Sequence, residues 1–251
     1  MKLRALTLRA FARYASLAVG LIAVSSLAHA RPVDGAQQDL ALAMSRHMKM
    51  TTLRPIQPGD QQRADAIVAA ARKVMERYTD YRKALASGYA ILLPGARQSV
   101  YHFSRYPDFQ ENTIHFDPDK PASLLYARVP DPAVRYKLVG VMYTAPYEAT
   151  EEELNRRVPL SIGRWHMHTN LCVPPVGHSA EMNGDDAKFG VRGSIVTADA
   201  CQAAGGRFLP HYLGWMVHVY AFETDPSRIW VSGMDDEHGM QHDTMMPSMT
   251  M

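Results

Sequence analysis

The sequence predicts one α+β domain: a mainly antiparallel sheet, able to close partway into a barrel, covered on one face by a single long N-terminal helix. Three observations carry this reading. Apolar residues recur at three- and four-residue steps between positions 61 and 86, the period of an amphipathic helix. From 89 to 147 the texture changes to short apolar runs broken by Pro, Gly and Asp, the texture of strands and turns. No regular βαβ alternation follows, which argues against a doubly wound parallel sheet.

The chain opens on a segment outside that domain. Lys2, Arg4, Arg9 and Arg13 precede an apolar run from Ala15 to Leu27 and the triplet Ala28-His29-Ala30. This is the pattern of an export signal, residues 1–30, cleaved after Ala30. The run is too short for a membrane span, and no other stretch is long and apolar enough for one. A periplasmic or secreted protein without a membrane span is therefore expected. The segment holds four basic and no acidic side chains, so the remainder carries 23 Lys and Arg against 25 Asp and Glu. That balance supplies no basic field for nucleic acid.

Residues 31–59 form an extension punctuated by Pro and Gly. Met44, His47, Met48 and Met50 cluster there, read as a short amphipathic helix with methionine as filler. Asp60 is placed to cap the long helix and Gly88 to stop it. Strands are expected at 99–103, 112–116, 123–128 and 135–143, with turns at 117–121 and 130–132. His102 and His115 fall in two of these strands and read as hydrogen-bonded, half-buried residues. Thr150 with Glu153 has the form of a capping box opening a helix at 151–157. A strand is expected to begin near 158 and run through the next stretch. Residues 173–193 read as a long loop holding His178 and Glu181, followed by a helix at 197–204, a strand at 214–222 and an edge strand at 228–232. The domain is thus placed at 60–232.

The stretch Arg164-Trp165-His166-Met167-His168-Thr169-Asn170-Leu171-Cys172 carries the chemistry. On a strand, His166 and His168 share one face while Trp165 and Met167 share the other. In Gly214-Trp215-Met216-Val217-His218-Val219-Tyr220 the same alternation puts Met216, His218 and Tyr220 together. Three imidazoles from two neighbouring strands make a candidate metal site: His166, His168 and His218. The tryptophans beside them, Trp165 and Trp215, read either as an aromatic wall beside the site or as ordinary core. The two cysteines after the signal, Cys172 and Cys201, suggest a disulfide in an oxidising compartment. The alternative is that Cys172 supplies a thiolate as a fourth ligand.

The last stretch, 233–251, differs in kind. It is rich in Met, His and acidic residues, has no aliphatic side chain and no periodicity, and reads as a disordered tail. Met234, His238, Met240 and His242 are candidate metal ligands there. Nine of the 14 methionines after the signal lie in the two flanking segments, where no core explains them. Thioether suits Cu(I) and imidazole suits copper, zinc or iron, so copper is the favoured ion.

No glycine-rich phosphate loop, G-x-S-x-G elbow, H-E-x-x-H helix or C-x-x-C pair is present. The H-x-H strand resembles the metal strand of cupin-type barrels only in part. Where cupins carry a glutamate, this chain has Cys172 or Val173. A broader resemblance rests on Met48-Lys49-Met50-Thr51, Leu53-Arg54-Pro55, Ser123-Leu124-Leu125-Tyr126, Gly140-Val141-Met142-Tyr143-Thr144-Ala145-Pro146, and the two histidine stretches. Together these are similar to a family of exported bacterial proteins, over about residues 44–232. That family carries no assigned activity, so the resemblance bears on domain boundaries and not on chemistry.

Three functions follow from these residues. The first is an exported metal-binding protein, with copper favoured and the Met/His tail as a capture segment. The second is a mononuclear three-histidine enzyme, with zinc or iron, an open coordination position, and loop 173–193 as a lid bearing Glu181 or His178 as acid–base group. The third is a metal-free binding domain stabilised by the disulfide.

Overall fold

The computed structural model describes residues 46–94, 98–184 and 186–231. The expected signal peptide, Met44, and the tail with Met234, His238, Met240 and His242 lie outside these residues.

Seven strands form one antiparallel open sheet: β1 (Met48–Met50), β2 (Ala90–Ile91), β3 (Val100–Ser104), β4 (Ser123–Arg128), β5 (Tyr136–Ala145), β6 (His166–Val173) and β7 (Arg207–Val219). Their order across the sheet is β1-β6-β7-β5-β4-β3-β2. Both edges are very short strands, which limits the unpaired backbone offered to other chains. The Met48–Met50 segment pairs with β6, so the sheet begins before residue 60 and this segment is no helix.

The long helix is two helices, α1 (Asp60–Arg77) and α2 (Tyr81–Ala86). Gly59, in the left-handed region at φ 88°, stands at the cap, and Asp60 is the first helical residue. The Asp60 carboxylate accepts hydrogen bonds from the Gln57 N–H and the Ser161 hydroxyl. The break comes at Asp80, whose side chain accepts from the Arg82 N–H and so starts a new helix. The stripe Ala64, Ile67, Ala71, Val74 and Met75 is buried against the sheet.

Opposite that stripe lie Tyr101 and Phe103 of β3, Leu124 and Tyr126 of β4, Val141 and Tyr143 of β5, and Val217 and Val219 of β7. Trp165, Met167 and Trp215 complete this core. Burying each large apolar side chain contributes about 1.5–3 kcal/mol before chain entropy is set against it. The two tryptophans therefore belong to the helix-covered face, not to a wall beside the histidines.

Residues expected as a strand at 112–116 instead end α3 (Tyr106–Ile114). Two features explain the difference. Pro107 lies in the first turn, where its missing N–H costs no bond, and Arg105 grips Asp108 at 2.7 and 2.8 Å. At the other end the Arg157 guanidinium donates to the carbonyls of Asn112, Thr113 and Ile114, groups the helix itself leaves unpaired. Arg157 ends α4 (Glu151–Arg157), which opens with the expected capping box of Thr150 and Glu153.

The stretch 158–163 is a turn rather than a strand start, with Ile162 and Gly163 both bonded to the Pro159 carbonyl. Cys201 sits on α5 (Ala198–Ala203), close to its expected place. Of the expected final edge strand, Arg228 and Ile229 instead end α6 (Pro226–Ile229), capped by Asp225, and residue 232 lies outside the described residues. No helix among the described residues is long and apolar enough to cross a membrane.

Candidate metal centre

Side-chain alternation delivers the predicted histidines to one place. His166 and His168 on β6 and His218 on β7 all lie on the sheet face opposite α1, sharing it with Met142, Met216 and Tyr220. A fourth joins them: His102 of β3, whose Nε2 lies 3.4 Å from the His218 Nε2. In a flat sheet β3 and β7 stand three strand spacings apart, ~14 Å. The two rings nevertheless meet with centres 5.3 Å apart, so this face is concave. Gly140 helps to leave the space, since a Cβ there would meet the Val219 carbonyl oxygen at 2.8 Å.

Two further ring pairs are equally close. His166 stands edge-on to His218 at 4.9 Å and to His168 at 5.6 Å between centres. His166 and His218 are buried, and His102 and His168 are half-buried in the cavity wall. The buried Nδ1 atoms of His166 and His168 have no hydrogen-bond partner. Burial, followed by the neighbouring His218, holds His102 and His166 well below the ordinary imidazole value. The same two causes bring His168 down to about 4. These three rings are therefore neutral at pH 7 and keep a lone pair available.

Methionines alternate with the histidines across the strands. Met48 stands opposite His168, Met142 opposite His218, and Met216 opposite His166. Residues directly opposite on adjacent strands share a face, with Cβ atoms ~4.5–5.5 Å apart. All three methionines line a cavity of about 250 Å³ over the four histidines, together with Met182 and Tyr212. No Asp or Glu is among the described residues that line it.

The strand register carries an irregularity at this site. His166 pairs with Met216 and His168 with Tyr212, so three residues of β6 span five of β7. The extra length is taken up at Leu213, which has φ 62°, and at Gly214. A Cβ on Gly214 would run into the Ala145 carbonyl oxygen, so glycine is required there. The bulge puts Tyr212, Leu213 and Met216 all in the cavity lining.

Cys172 is not a ligand candidate in this structure. Its sulfur is bonded to Cys201, with the Cα atoms 5.5 Å apart, and both residues are fully buried beside Phe189 and Ile195. A thiolate is thus unavailable, and the disulfide instead fastens β6 to α5. Gly206 lies against this bridge so closely that a Cβ would meet the Cys172 sulfur at 2.6 Å.

The other expected groups lie elsewhere. His178 and Glu181 pair with each other on the loop surface and do not line the cavity. The same loop still contributes a wall through Met182, Gly190, Val191 and Arg192. His115 is exposed at the end of α3. His47 is buried with its ring between the carbonyls of Thr169 and Gly193, at 3.3 and 2.7 Å, which ties the loop to the sheet edge.

Chemically, the cluster offers four imidazoles and several thioethers, with no carboxylate among the described residues that line the enclosure. Among the described residues, no group of three or more His, Cys, Asp or Glu side chains is already set to hold a metal ion. The rings touch one another instead of closing around a point. Comparison with known proteins adds no assignment: no family model, curated protein or solved structure matches the chain.

Proposed function

We propose that the protein is an exported metal-binding protein that takes up copper between His102, His166, His168 and His218. The observation that carries the reading is the alternation of imidazole and thioether on one concave face, with Met48, Met142 and Met216 each opposite a histidine. Neutral nitrogen and soft sulfur donors suit Cu(I), and the lack of carboxylates among the described lining residues disfavours the hard ions Mg²⁺ and Ca²⁺. The ring spacing supports the same reading. Two imidazoles on one tetrahedral ion, each nitrogen at ~2.0–2.1 Å, have those nitrogens ~3.4 Å apart and ring centres ~5 Å apart. The pairs here have centres 4.9–5.6 Å apart. Closing on an ion therefore takes rotation of the rings, not movement of strands. A bound ion would also satisfy the two unpartnered Nδ1 atoms, each of which costs about 1–3 kcal/mol when left alone.

Export agrees with the buried disulfide, since such bonds persist in oxidising compartments. Met234, His238, Met240 and His242 would add capture ligands tethered to the domain by the chain and raise the local concentration of the ion. A second reading, a mononuclear zinc or iron enzyme on the same histidines, is favoured by the cavity, which exceeds the needs of a bare ion.

The test is competition for Cu(I) against a chromophoric chelator, with the chain purified from the periplasm. The wild type should take one equivalent tightly, and His166→Ala with His168→Ala should lose affinity on the order of 100-fold or more while keeping its circular dichroism. Unchanged affinity in the double variant would defeat the folded site. Stoichiometric zinc or iron in the isolated protein, with no preference for Cu(I), would put the enzyme reading first.

A further inference from the structure

The cavity above the histidines has a shape that metal storage alone leaves unexplained. Its volume is about 250 Å³, against the ~30 Å³ that a water molecule occupies in the liquid. The floor is the imidazole and thioether surface of the sheet. The walls are mostly aliphatic, with Leu92 and Leu93 from the segment after β2, Leu171 of β6, Val191 of the loop and Leu213 of β7, and they include the polar residues Gln98, Ser99 and Arg192.

Two of these walls are held in a backbone conformation that leucine seldom adopts. Leu93 has φ 53° and Leu213 has φ 62°. Of the four described non-glycine residues with positive φ, these two are the leucines, and both line the cavity. Such strain persists where the surrounding structure requires it, and it gathers at ligand clamps. For Leu213 the requirement is the bulge that also brings Tyr212 and Met216 into the lining.

We propose that the cavity admits a small, neutral, largely apolar molecule bearing one nitrogen or sulfur lone pair, which it presents to an ion held by three of His102, His166, His168 and His218. The proposal rests on the metal reading above. The chemistry of the occupant follows from the walls. No described lining residue is a carboxylate that would attract a cationic ligand, the lining cation Arg192 already has a partner in the fold, the aliphatic walls favour hydrocarbon, and the volume suits roughly ten non-hydrogen atoms. The donor end follows from the floor: an ion held by three of the four histidines keeps one tetrahedral position open for a further ligand.

The experiment loads the full chain with Co(II), whose d–d bands report the ligand set, and titrates it with imidazole and with 4-phenylimidazole. Both probes carry the same donor, and only the second fills the walls. The phenyl compound is expected to bind on the order of tenfold more tightly and to shift the d–d bands. Leu213→Gly removes one wall and relieves the left-handed backbone, so it should still fold and load Co(II), while the two probes bind within about twofold of each other. If Co(II) binds and the wild type does not distinguish the probes, the occupant proposal is overturned and the metal reading stands. A phenyl preference that Leu213→Gly retains in full also overturns it. Failure to take up any Co(II) overturns both.

Discussion

The two faces of the sheet are built from the same strands, one residue out of step, and they have been put to different ends. Trp165, Met167, Trp215, Val217 and Val219 face the helices; His166, His168, Met216 and His218 face the cavity. The helix-covered face is filled with apolar side chains, and residues such as Trp165, Tyr143 and Val219 are wholly enclosed. Its own unmet groups are the indole N–H donors of Trp165 and Trp215, small parts of large apolar rings. The cavity face buries imidazoles with unpartnered nitrogens, lowers their affinity for protons, and borders leucines in left-handed backbone. Each of these features costs stability. The comparison teaches that one face holds the fold together and the other is held by it.

The largest expected effect tests the first half of that statement. Trp165→Ala should lose about 3–5 kcal/mol in urea denaturation, the cost of a large cavity in a packed core. Metal uptake by the molecules that remain folded should be unchanged. A loss below about 1 kcal/mol would mean that the helix-covered face is not the principal core.

The alternation that separates the faces is legible in the sequence, and so is most of the site. His166-Met167-His168 and Met216-Val217-His218 each announce their own division, because a strand has a period of two whatever it packs against. The capping box at Thr150, the helix around Cys201 and the disulfide option are equally local. What the sequence hides depends on distant partners. His102 reads as an ordinary strand histidine, and only the curvature over β4 and β5 brings it to His218. Met142 becomes a neighbour of His218 through strand order, which no local pattern reveals. The helix ending at Ile114 reads as a strand because its closing carbonyls are satisfied by Arg157, 43 to 45 residues away. Methionines Met48 and Met50 look like helix filler, since the strand that makes them an edge, β6, comes more than a hundred positions later.

A smaller effect should appear in the pH dependence of the metal-free protein. His102, His166 and His168 have folded-state values below the unfolded ~6.5, so the unfolded chain binds more protons than the fold does in that interval. Their contribution is complete above pH ~6.5 and is lost as the pH falls towards the folded values, about 4 for His168. For His168 alone the loss is on the order of 2–3 kcal/mol. Carboxylates held low, such as Asp60, act only at still lower pH. Urea midpoints at pH 7.5, 6 and 5 in the presence of a chelator measure this. A flat profile would show that the cavity face tolerates charge and is not the desolvated surface described here.

The smallest expected change in stability is also the sharpest separation of the faces. His166 is buried, its Nδ1 lacks a partner, and a cavity lies beside it. Replacing a buried polar group that is poorly satisfied by an apolar one of similar shape is often neutral or stabilising, because the desolvation cost disappears with the polar atom. His166→Phe keeps a flat ring at the position and can extend into the cavity. Its stability should stay within about 1 kcal/mol of wild type, or rise, while Cu(I) affinity falls sharply. Trp165, the adjacent residue on the other face, admits no such exchange, because its ring is the packing. A loss of more than about 2 kcal/mol in His166→Phe would mark His166 as a structural residue with partners in the fold, and the division of labour between the faces would fail at its central position.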